Sequence, residues 1–123
     1  MKYFITLCIF ILNSAIAIAQ FAEFSFEEKV HKFEPTTEGT PLECTFDFTN
    51  TGNVPLIISD YKVECTCTRV EFSKEPILPG KAGQIKVYFD SKGKTGWQYR
   101  KILLMSNTKK GSEEIEIRVK ILN

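Results

Sequence analysis

Cys65 and Cys67, separated only by Thr66, are the residues of this 123-residue chain whose type and spacing could do chemistry. A disulfide between residues two apart closes a small ring, and strained disulfides are oxidising and labile. In a regular strand, however, residues i and i+2 lie about 6.6 Å apart, near the upper limit for a disulfide. Local redox chemistry therefore requires the backbone to leave the strand at this point. Cys44 offers the other partner. A bridge from Cys44 to Cys65 or Cys67 closes a loop of about 20 residues and adds roughly 3 kcal/mol in the chain-entropy description. That bridge is the expected arrangement; free buried thiols and a redox or soft-metal pair, for instance for copper, are the other two readings.

Other chemistry has less to work with. His31, the only histidine, joins Cys44, Cys65 and Cys67 to make four ligands, the count of a closed tetrahedral zinc site. Their spacing matches no zinc motif, since structural sites favour Cys-x-x-Cys pairs, and His31 is expected on an exposed early loop. As the one imidazole it is also the one candidate base, with no nucleophile motif nearby. The chain carries no P-loop, dinucleotide fingerprint or calcium loop. The expectation is no enzyme, no catalytic residue, no metal and no cofactor.

The elements that position these residues begin after a delivery segment. Lys2, the apolar run Phe4 to Leu12 and the small-residue end Ala17-Ile18-Ala19 form the pattern of a secretory signal peptide. The apolar run is short for a membrane span, so cleavage after Ala19 is expected to leave residues 20–123 as one domain with no stable membrane insertion. Losing Lys2 takes the formal charge from +1 to zero. A neutral domain argues against nucleic-acid and anionic-membrane partners, which require clustered Lys and Arg. Export to the periplasm or beyond favours disulfides, and three cysteines in the mature chain leave one over.

From Phe21 onward the chain reads as short strands. Phe24 and Phe26 alternate with Glu23 and Ser25. Leu42, Cys44, Phe46 and Phe48 share one parity against Glu43, Thr45, Asp47 and Thr49, which places Cys44 on the core face. Asn50-Thr51-Gly52-Asn53 reads as a turn in which Gly52 and Asn53 tolerate positive φ. Leu56 and Ile58 differ in parity from Tyr61, Val63, Cys65 and Cys67, so a bulge is expected near Ser59-Asp60. Pro79-Gly80 suits a type II turn. Ile85, Val87 and Phe89, then Ile115, Ile117, Val119 and Ile121, alternate with polar residues. About seven strands at near-even spacing, with no helical period, predict an all-β, immunoglobulin-like antiparallel β-sandwich.

Several motifs together resemble a known family. Phe46-Asp47-Phe48-Thr49-Asn50-Thr51-Gly52-Asn53-Val54-Pro55-Leu56-Ile57-Ile58, Cys65-Thr66-Cys67-Thr68, Pro76-Ile77-Leu78-Pro79-Gly80, Gly96 and Ser106-Asn107 are similar to the bacterial secreted family called domain of unknown function 1573. That family is itself similar to the immunoglobulin-like ASPM, SPD-2 and Hydin domains. The resemblance implies the fold over nearly all of the mature chain and implies no function. Where the family usually has Cys-Gly-Cys-Thr, this chain has Thr66, which makes a tight local turn harder.

One strand breaks the alternation. If Ile102 and Leu104 face the core, Trp97, Tyr99, Leu103 and Met105 point outward, together with Ile57 from an earlier strand. An apolar outer face usually marks a partner surface, for another protein or a second copy of the domain; cover by Phe21 to Phe26 is the competing reading. The expected function is a secreted or periplasmic binding or structural module, with a thiol protein of the cell envelope as the alternative.

Overall fold

The computed structural model describes residues 18–123; the expected signal peptide, but for its last two residues, lies outside them. Nine strands follow in order: β1 (Phe24–Phe26), β2 (Val30–Lys32), β3 (Thr36–Thr37), β4 (Pro41–Asn50), β5 (Ile58–Val63), β6 (Thr68–Phe72), β7 (Ala82–Asp90), β8 (Gly96–Ser106) and β9 (Ser112–Leu122). They form two sheets. One runs β1-β4-β7-β6; the other runs β2-β9-β8-β5, with β3 also paired to β9.

The sheets face each other through the residues whose parity marked them. Phe46 and Phe48 of β4, Val70 of β6, and Ile85, Val87 and Phe89 of β7 meet Ile58, Ile102, Leu104, Ile115, Ile117, Val119 and Ile121. Each side chain fully buried this way contributes roughly 1.5–3 kcal/mol relative to exposure. The expected bulge is present, as the β5–β8 register shifts between Ile58 and Asp60. So is the type II turn: Lys81 N–H donates to the Leu78 carbonyl at 3.0 Å, with Gly80 at φ 79°.

Three expectations change. The sandwich has nine strands, not about seven, and is not wholly antiparallel: β2 and β3 both run parallel to β9. Side-chain alternation is the same for either direction, so strands of two and three residues carry no sign of it. Second, among the described residues none other than glycine has positive φ, and Gly52 is not among the glycines that do. Gly52 is required for space, because a Cβ there would lie 2.2 Å from the Phe21 carbonyl oxygen. Third, His31 sits half-buried on β2, not on an exposed loop.

Asn50 ties these parts together. It has no exposed surface. Its Oδ1 accepts from the backbone N–H of Gly52 at 2.9 Å and of Glu23 at 3.3 Å. Its Nδ2 donates to the carbonyls of Val54 at 2.8 Å and Ile77 at 2.9 Å. One side chain thus joins the N-terminal segment, the turn after β4 and the stretch before Pro79; it pairs the Val54 carbonyl and the Gly52 N–H and adds a second donor to the Ile77 carbonyl, which also accepts the Leu56 N–H at 2.8 Å.

Candidate functional site

The cysteines lie where the chain crosses from one sheet to the other. β5 ends at Val63, β6 begins at Thr68, and a turn between them is closed by the Thr68 N–H donating to the Cys65 carbonyl at 3.1 Å. The backbone therefore leaves the strand, as a local pair requires. Cys65 and Cys67 are joined as a disulfide with Cα atoms 5.1 Å apart, and the Cys67 N–H points at the Cys65 Sγ at 3.2 Å. Thr66 is exposed at the tip and makes this turn without positive φ, so glycine is dispensable there.

The expected bridge from Cys44 to this pair does not form, because β4 and β6 are not neighbours. β7 lies between them: Cys44 pairs with Val87, and Val87 pairs with Val70. Two strand spacings come to about 9.6 Å, against roughly 6.8 Å for the longest ordinary disulfide. Cys44 is a free thiol, half-buried against the core on the predicted face. Burial pushes its pKa up to about 12, so the thiol stays protonated at neutral pH.

His31 is held elsewhere. It stands on the β2 edge of its sheet, whereas the cysteine turn follows β5 on the opposite edge. Its ring meets Phe33 edge-on at 4.6 Å and Phe46 at 6.4 Å. The four ligands that sequence counting assembled are thus dispersed, and among the described residues no group of three or more His, Cys, Asp or Glu gathers to hold a metal.

The outer face of the β2-β9-β8-β5 sheet carries the other candidate residues. Ile102 and Leu104 are buried while Trp97, Tyr99, Leu103 and Met105 take the opposite parity. The row is not uniform. Trp97 and Tyr99 are 46% and 53% exposed and stack at 6.1 Å between ring centroids. Leu103 and Met105 are half-buried, with Leu103 flanked by Glu114 and Lys62 in register. Ile57 is exposed but stands at the far end of β8, where its N–H donates to Asn107 Oδ1 at 2.8 Å.

Cations surround the aromatic pair. Lys32 Nζ lies 5.3 Å from the Trp97 ring, and the Arg118 guanidinium lies 5.7 Å from the Tyr99 ring. Lys120 sits opposite Trp97 in the ladder. The segment Phe21 to Phe26 does not cover this face, because β1 belongs to the other sheet.

A protein-family profile described as a protein of unknown function, DUF1573, matches residues 24–121. The chain belongs to this family. The match takes in the cysteine turn and the Trp97–Tyr99 strand of this DUF1573 chain alike. Among solved structures it is similar to a protein of unknown function from Porphyromonas gingivalis W83, with TM-score 0.71 and 14% identity over 89% of this chain and 51% of that one. The chain thus spans about half the length of that relative. The ASH, or PapD-like, domain of human CEP192 superposes with TM-score 0.63 and 10% identity, covering 91% of this chain and 94% of that domain. The Escherichia coli chaperone DraB does so with TM-score 0.61 and 11% identity, covering 84% of this chain and 57% of that one. At such identities the likeness establishes a shared immunoglobulin-like, PapD-like fold. No curated protein matches the chain.

Sequence reasoning missed Lys32 and Arg118 as companions of the aromatic pair. Nothing local places Lys32 beside Trp97; the parallel pairing of β2 with β9 does so, setting Lys32 opposite Arg118.

Proposed function

We propose that this chain is an exported, non-catalytic binding module. Its contact surface is the outer face of the β2-β9-β8-β5 sheet, centred on Trp97 and Tyr99. The observation that carries the reading is the stacked, half-exposed aromatic pair on a strand whose neighbours present polar residues outward. Trp and Tyr are residue types that dominate interface energies, each hot spot costing about 2 kcal/mol or more on truncation.

The flanking charges specify the partner's chemistry. Lys32, Lys101 and Lys120 face outward at this end, beside Arg118, which Glu116 of the same strand already pairs, and the excess of cations calls for a protein surface bearing carboxylates. A second copy of the domain can supply one. The other end of the same face presents Asp60 and Glu114, against the single cation Lys62, beside Met105 and Leu103. A two-fold axis between antiparallel copies of β8 would lay the aromatic, basic end of one over the acidic, apolar end of the other.

The test is the variant Trp97→Ser/Tyr99→Ser. Light scattering reads self-association, and pull-down from envelope extract reads other partners. Retained folding with lost association is expected. Association equal to wild type, or unfolding of the variant, removes the support for this surface.

The thiol reading retains one favourable observation, the closure of Cys65 on Cys67 in a turn at the rim of the sandwich. Incubation with glutathione followed by mass measurement tests it: a mixed disulfide supports exchange at this pair, and a persistently intact pair assigns it to structure alone.

A further inference from the structure

We infer that Gln20 is a modification site: as the first residue of the exported protein it closes on itself to pyroglutamate. The inference rests on the export reading above, since removal of residues 1–19 is what leaves Gln20 with a free α-amine. In that position the amine nitrogen attacks the side-chain Cδ. The N–Cδ bond of a five-membered lactam forms, the Cδ–Nε2 bond breaks, and the side-chain nitrogen leaves as ammonia with a proton from the amine. No oxidant, reductant or second substrate is involved.

The fold leaves this residue, and no later one, free to react. Ile18, Ala19 and Gln20 are exposed and belong to no strand. Asn53 Nδ2 donates to the Ala19 carbonyl at 2.9 Å, a contact that cleavage after Ala19 removes, and from Phe21 the backbone is pinned by groups that remain. The Phe21 N–H donates to Asn53 Oδ1 at 2.8 Å, and its carbonyl accepts from the N–H groups of Asn53 at 2.8 Å and Val54 at 3.2 Å. Thr51 N–H then donates to the Glu23 carbonyl at 3.0 Å. Gly52 packs so closely beneath Phe21 that no Cβ fits.

Cleavage after Ala19 therefore leaves a single residue ahead of Phe21, the first anchored residue of the cleaved chain. Ring closure uses only atoms of Gln20, so the folded domain does not oppose it. The product has no free terminal amine for an aminopeptidase to grip.

The test is intact-mass measurement and stepwise N-terminal degradation of the exported, reduced protein. The expected result is a chain spanning 20–123, lighter by one ammonia, blocked to degradation, and yielding Phe21 first after treatment with pyroglutamyl aminopeptidase. The variant Gln20→Asn, whose shorter side chain would need a four-membered ring, is expected to read as a free Asn. A wild-type chain that begins at Gln20 with a free amine overturns the inference and leaves the export reading standing. A chain that begins at Met1 overturns both.

Discussion

Replacing Asn50 by Ala tests how the fold is held at its N-terminal end. The variant strands the carbonyl of Val54 and the N–H of Gly52; the Ile77 carbonyl keeps the Leu56 N–H as donor, and the longer Glu23 contact is a minor loss. Each buried group left unpaired costs about 1–3 kcal/mol, so two at the low end give roughly 2 kcal/mol. With a urea m-value of about 1.5 kcal/mol/M, the unfolding midpoint falls by about 1.3 M. The assay is urea denaturation of the mature domain followed by Trp97 fluorescence. A fall below about 0.5 M with an unchanged m-value would refute the hub role.

Asn50→Asp sharpens the test, because it keeps the acceptors and sets a carboxylate oxygen against the carbonyls of Val54 and Ile77. Burial and those oxygens raise the carboxyl's folded-state pKa above its unfolded value of about 3.9. A raised folded pKa means that the native state binds more protons. Relative to wild type, this variant is least destabilised below about pH 3.9 and loses stability as pH rises through the folded pKa. Asn50→Ala shows no such slope.

Other outcomes follow from single contacts. Cys44 resists alkylation at pH 8 in the folded protein and reacts on unfolding, since its thiol is pushed up to about 12; mass after labelling reads this, and full native labelling would contradict the burial. Cys44→Ser lowers stability by about 1 kcal/mol, the low end for a poorly partnered hydroxyl at a half-buried site, and leaves the Cys65–Cys67 disulfide intact on peptide mapping. Gly52→Ala must push the Phe21 segment away and costs about 1–3 kcal/mol in the same urea assay. Glu71 titrates below the ordinary carboxylate range, first because Arg69 donates to it and then because Tyr88 does. In Glu71→Gln, the small stability present above the unfolded carboxylate pKa and lost on acidification disappears, as acid unfolding curves would show.

The residues themselves determined which side chains face the core. Leu42, Cys44, Phe46 and Phe48 point inward and Trp97 and Tyr99 outward because alternation along a strand is a local property, independent of which strand lies alongside. The bulge at Ser59 and the turn at Pro79-Gly80 were legible for the same reason, since a parity slip and a Pro-Gly pair act within a few residues. Neighbour relations were not legible. The placing of β7 between β4 and β6 denies Cys44 its expected partner, and the crossing of the chain from β1 in one sheet to β2 in the other puts Lys32 over Trp97. Asn50 reads in sequence as an ordinary turn residue and becomes a buried four-bond hub only because segments 27 residues away on either side come to meet it. Those pairings are decided by the joint burial of two sheet faces, a long-range balance that no short stretch of chain contains.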